Sequence, residues 1–141
     1  MKRLRTLTAL LLVLLASLPA VAGDFDWMRD FNIRADADPS GFRAQLAARF
    51  KVGDAQITAV IGNVARPADA YMVYRLGEMS ARPPEYVIEQ YKSGKGKGWG
   101  VIAKSLGIKP GSKEFHALKN GHDLYASDHK GKDKGKGKGK K

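Results

Sequence analysis

Helix breakers stand at short intervals along this chain, and that punctuation is what most limits its fold. Pro39, Gly53, Pro67, Pro83-Pro84, the run from Gly94 to Gly98, Gly107, Pro110-Gly111 and Gly121 divide it into short segments. Within each segment the apolar residues recur three or four apart, the spacing of one helix face, and not every second residue as a strand requires. Ser40 stands where a cap precedes Phe42, Leu46 and Phe50, spaced by four. Gly53 ends that helix, and Asp54 is the expected N-cap of the next, with Ile57, Val60, Ile61 and Val64 on one side. Pro67 suits a first helical turn, where its missing N–H has no partner to lose. The helix it opens carries Tyr71, Val73, Tyr74, Leu76 and Met79 around much of its circumference, which predicts the central helix.

Prolines 83 and 84 stop that helix and start another, with Glu85 in the first turn and Val87, Ile88 and Tyr91 on the buried side. Trp99, Ile102, Ala103 and Leu106 form the next; Gly107 fits its left-handed end and Ile108 the apolar contact that follows. Phe115 and Leu118 point the last helix inward. The expectation is an all-α fold, a compact bundle of five or six short helices over residues 39–121, low in contact order. The preceding segment, 23–38, is an acidic and aromatic N-terminal arm. Trp27 and Phe31 share one face if it is a short helix; the alternative is an extended arm docking its aromatics on the body. Asp36 and Asp38 resemble the start of a calcium loop, but the glycine and closing glutamate are missing, so a solvated turn is expected.

Residues 1–22 have the layout of an export signal. Lys2, Arg3 and Arg5 form a positive start, residues 7–18 are nearly all Leu, Ala and Val, and Ala20-Val21-Ala22 is a small-x-small cleavage site ahead of Gly23. The apolar run falls short of the roughly 20 residues a spanning helix needs. The predicted location is therefore periplasmic or secreted. With no cysteine in the 141 residues, thiol catalysis and Cys-ligated metals are excluded, and the exported domain relies on its core alone.

The formal charge is +11, unevenly spread. Residues 130–141 alone carry seven lysines against Asp133, alternating with glycine, while residues 23–129 balance 15 basic against 13 acidic side chains. Apolar rhythm is lost after His122, so 122–141 is expected to be a disordered basic tail. Lysines in that density attract polyanions, and without aromatics they offer no base stacking. The predicted polyanion-binding residues are Lys130, Lys132, Lys134, Lys136, Lys138, Lys140 and Lys141, aided by Lys95 and Lys97 of the glycine-rich loop. Expected partners are anionic envelope polymers or lipid head groups, held weakly by charge. The loop itself lacks the spacing of a phosphate loop or a dinucleotide fingerprint; it is either a hinge or an anion nest of backbone N–H groups helped by Lys92, Lys95 and Lys97.

Residues 98–118, with Gly98-Trp99-Gly100, then Ile102-Ala103-Lys104 through Leu106-Gly107-Ile108-Lys109-Pro110-Gly111-Ser112, then Glu114-Phe115-His116-Ala117-Leu118, and the Lys119 that follows, resemble a segment recurring in small uncharacterised exported proteins of bacteria. The resemblance implies a fold type and an export route, and no activity. Residues 98–120 also read as a helix-turn-helix, the alternative being DNA binding through Lys113, His116, Lys119 and Asn120; the leader and the thin set of polar contacts favour two merely packed helices. Other chemistry is poorly supplied. His116, His122 and His129, with Asp123 and Asp128, match no compact metal motif and read as solvated side chains. Ser112 and His116 lie four apart on one helix face without a nucleophile elbow, and Glu85 with Glu89 is an ordinary exposed pair. Tyr71, Tyr74, Tyr86, Tyr91 and Trp99 are expected mostly in the core. The chain is read as a binding or scaffold protein, not an enzyme, with no cofactor and no metal.

Overall fold

A computed structural model describes residues 25–94 and 96–125. Among them are seven helices and no strand: α1 (Trp27–Ala37), α2 (Pro39–Phe50), α3 (Asp54–Ile61), α4 (Pro67–Ser80), α5 (Pro84–Ser93), α6 (Trp99–Ser105) and α7 (Lys113–Asn120). The all-α expectation holds. The count exceeds five or six because the segment expected as an arm is itself a helix. The arrangement has α4 at its centre, packed against α1 and α5, with α3 also touching it. Eight residues of α4 are buried, including Tyr71, Met72, Val73 and Leu76, as its all-round apolar pattern predicts. Among the described residues no helix is long and apolar enough to cross a membrane.

Local chemistry sets most of the ends. Asp38, not Ser40, caps α2: its carboxylate accepts from Gly41 N–H at 2.9 Å, with Pro39 in the first turn. Helix α2 closes at Lys51 in a left-handed conformation (φ 56°), before Gly53 is reached. Gly53 is instead the N-cap of α3, and Gln56 accepts from its N–H at 3.1 Å. The end of α6 follows the sequence reading closely. Gly107 is left-handed (φ 87°), its N–H bonds Lys104 O at 3.0 Å, and buried Ile108 donates to Ala103 O at 3.1 Å. That is a Schellman closure with its apolar contact. Gly77 answers a different need. The chain returns from α4 so tightly that Arg82 N–H donates to Gly77 O at 2.9 Å, and a Cβ on Gly77 would lie 2.9 Å from Arg82 O.

Two borders drawn from composition move outward. In α1, Phe31 and Ala35 are buried, and Trp27 meets Phe31 edge to face with ring centroids 5.6 Å apart. Buried Asn32 reaches α4, where its side-chain oxygen accepts from Ala68 N–H at 2.7 Å. That bond satisfies a first-turn donor with no partner inside its own helix. At the other end Leu124 and Tyr125 are 4% and 6% exposed, so the core extends past residue 121. Of the proposed tail, residues 126–141 lie outside the described residues, as do residues 1–24 and Lys95.

Candidate functional site

Of the nine lysines expected to contact polyanions, the structure places one. Lys97 is exposed in the connection from α5 to α6. Lys95, Lys130, Lys132, Lys134, Lys136, Lys138, Lys140 and Lys141 lie outside the described residues. In the loop, Gly96 and Gly98 are both left-handed (φ 86° and 80°), a conformation open to glycine at little cost. The Lys97 N–H turns back to Gly94 O at 2.9 Å, so that donor is already used by the loop's own turn.

The most organised polar constellation lies where the body ends, around Asp123. One carboxylate oxygen accepts from the Tyr71 phenol at 2.8 Å; the other accepts from Arg49 Nε at 3.0 Å and Nη2 at 2.7 Å. The Asp123 N–H also donates to the Tyr71 oxygen at 3.2 Å. Arg49 turns its remaining edge to Glu78 at 3.0 and 3.2 Å, and Arg75 joins Glu78 at 2.8 Å. Thus α2, α4 and the segment after α7 meet in one charge network. Burial pushes the Asp123 carboxyl up, but the bonds from Arg49 and Tyr71 outweigh it and hold its pKa below the usual carboxylate value. The bond from Arg49, foremost, also lowers Glu78, while burial raises the Tyr71 phenol and keeps it a donor. With two acids shared among two guanidiniums and a phenol, the network is electrostatically closed. Its chemistry is anchorage: it fastens residues 121–125 to the bundle.

His122 completes that anchor and corrects the expectation of a solvated coil histidine. Its ring is half-buried among Phe31, Trp27, Tyr125 and Tyr71, with centroids 4.8, 5.2, 5.5 and 6.1 Å away, and its Nδ1 is buried without a hydrogen-bond partner. Burial lowers its pKa below 6.5; Asp123 acts against that lowering and Arg34 adds to it. The unfolded chain therefore takes up this proton first as pH falls, and stability drops with it. Below the ordinary carboxylate values, 3.8 for Asp123 and 4.5 for Glu78, protonation of the network adds a second loss of the same sign. Thermal melts should give a melting temperature level above about pH 7 and falling from about pH 6.5 towards 5. His122→Phe, which keeps the ring contacts, should flatten that limb and leave the more acidic one; an unaltered limb in the variant would refute the assignment.

The remaining sequence candidates stay apart. Ser112 Oγ caps α7 by accepting from Phe115 N–H at 3.1 Å, and His116 is exposed on that helix. Among the described residues no three potential metal ligands come together. Glu85 and Glu89 are both exposed on α5. Helices α6 and α7 are joined by residues 106–112, longer than the three- or four-residue turn of a helix-turn-helix. A second polar hub was missed by sequence reasoning. Asp69 accepts from the Trp99 indole at 2.8 Å, Arg66 N–H at 3.1 Å and the Tyr91 phenol at 3.3 Å. Tyr91 and Trp99 stack 5.2 Å apart, so this hub docks α5 and α6 onto the start of α4. The only sequence signal was an acid in the first turn after Pro67. Clefts exist, one of about 530 Å³ between the ends of α2 and α4 and another of about 340 Å³ beside Tyr71 and His122. Compared with known proteins, the chain matches no family model, no curated protein and no solved structure.

Proposed function

We propose that this chain is an exported helical scaffold that associates with anionic polymers and surfaces outside the cytoplasm through its C-terminal lysines. One observation carries the reading: residues 130–141 bear seven lysines and one acid, on a body that is close to neutral. Such a segment has no apolar surface to bury and gains its free energy from counterion release. The anchor around Asp123, Leu124 and Tyr125 supports the reading, because it fixes the chain to the body five positions before the first of these lysines. The layout of residues 1–22 supports export, and the resemblance of residues 98–118 to exported bacterial proteins points the same way. The reading assigns no catalytic step and no cofactor.

The test compares the mature chain with a variant in which the seven lysines of 130–141 are glutamine. Both are bound to phosphatidylglycerol vesicles and to dextran sulfate over a salt series. The expected result is loss of most of the affinity and a shallower dependence on salt, by about 0.7–0.9 in logarithmic slope for each contact removed. Equal binding by the two proteins would sink the proposal.

A further inference from the structure

We infer that the connection between α6 and α7 is a second polyanion contact, built from Lys104, Lys109 and Lys113, and that its partner is a flexible linear polyanion which also engages the tail. The inference rests on the function proposed above and extends it into the folded body.

It starts from an asymmetry in the kind of cation used. No arginine follows Arg82, and fourteen of the sixteen lysines lie from Lys92 onward, among only four acids. Residues 23–91, in contrast, carry eight basic and ten acidic side chains. The structure shows what the two cations do. Arg43 pairs with Asp54, Arg49 with Glu78 and Asp123, and Arg75 with Glu78, so arginines knit the first half together. The lysines at 104, 109 and 113 are all exposed, and none forms an ion pair among the described residues. Of the two acids in the described part of the second half, Asp123 is held by Arg49, which leaves Glu114 as the exposed one.

The three lysines follow one another along a short stretch of chain: Lys104 in α6, Lys109 in the connection and Lys113 in α7. Lys104 lies in the last turn of α6, and Gly107 folds back onto its carbonyl at 3.0 Å. Ile108 then plunges into the core at 7% exposure, pinning the middle of the connection. Lys109 follows directly, and its carbonyl accepts from Ser112 N–H at 3.1 Å, a second turn that delivers the chain to Lys113 at the start of α7. Two closed turns around a buried isoleucine hold the lysine backbones in place. An anion arriving here orders only side chains, because the backbone that carries them is already held. Ammonium groups are compact and strongly hydrated, which suits contacts that are numerous, non-specific and sensitive to salt.

The partner is a flexible polymer and not a lipid plane. A surface that inserts into the acyl boundary presents several apolar side chains beside its cations. The large apolar residues exposed in the described body are Ile33 and Val101, 60% and 49% exposed, one on α1 and one on α6. A flexible chain of sulfate, phosphate or carboxylate groups can join a fixed patch to the tail without requiring both to share a plane. Once one site is occupied, the other is reached at high local concentration.

The experiment uses the mature full chain in four forms: wild type, K104Q/K109Q/K113Q, the seven-lysine tail variant, and both sets combined. Each is titrated with dextran sulfate across a salt series, with circular dichroism confirming the helical fold. The patch variant should bind about 5- to 30-fold more weakly at low salt, with a logarithmic salt slope reduced by about two units. The tail variant should retain weak binding that the combined variant loses. If the tail variant binds the polymer equally with and without the patch lysines, the patch inference is overturned. If wild type and tail variant bind equally, the tail reading fails instead, so the two failures are distinct.

Discussion

Ending the chain after Gly121 should destabilise it by about 4–7 kcal/mol, whereas ending it after Asp128 should leave the melting temperature within a few degrees of wild type. The difference comes from four residues that composition assigns to the tail. Leu124 and Tyr125 are almost fully buried, and each contributes about 1.5–3 kcal/mol of apolar burial. His122 fills the space between Phe31, Trp27 and Tyr71, and losing it exposes three rings. Asp123 supplies the acceptor for Tyr71 and half of the counter-charge for Arg49. Its carboxylate is 41% exposed, so its share of the loss is modest, about 1 kcal/mol. Against a total stability of about 5–15 kcal/mol, such a loss is readily seen in urea or thermal unfolding. Equal stability of the two truncated chains would show that residues 122–125 contribute nothing to the core.

Asp69→Ala should cost about 2–4 kcal/mol and loosen α5 and α6 from the rest of the bundle. Its carboxylate holds the Trp99 indole, Arg66 N–H and the Tyr91 phenol, and the Tyr91 oxygen in turn accepts from Ala65 N–H at 3.2 Å. Bonds to a charged acceptor contribute about 1.5–3 kcal/mol where desolvated, and removing the acceptor strands a donor on Trp99, which is 8% exposed. Asp69→Asn keeps one acceptor oxygen and should lose about half as much. The two indole N–H resonances separate this local effect from general unfolding. Trp99 should shift strongly, while Trp27, bonded to Leu118 O at 3.1 Å, should stay in place. Wild-type stability in Asp69→Ala, or equal shifts of both indoles, would contradict the role.

What could be read ahead of the structure follows from how far each signal reaches along the chain. The faces of α2, α4 and α7 were plain from Phe42 and Leu46, from Tyr71 to Leu76, and from Phe115 and Leu118, because helical periodicity is a local property. The closure of α6 at Gly107 and Ile108 was equally local. The cap at Asp38 was missed for a narrow reason: two acceptors, Asp38 and Ser40, flank Pro39, and only backbone geometry selects between them. The tail lysines and the export-signal layout of residues 1–22 are features of composition and order alone.

The chain's own order of residues determined that it folds as short helices, that it carries its positive charge late, and that no thiol chemistry is available to it. Tertiary structure alone decided where the body ends and which polar groups matter. Asp123 finds Arg49 and Tyr71 across 74 and 52 positions of sequence, and Asp69 finds Trp99 across 30. Periodicity and composition describe neighbours along the chain. A carboxylate's partners, and the burial of Leu124 and Tyr125, depend on which distant helices arrive beside them, and only the packed core specifies that.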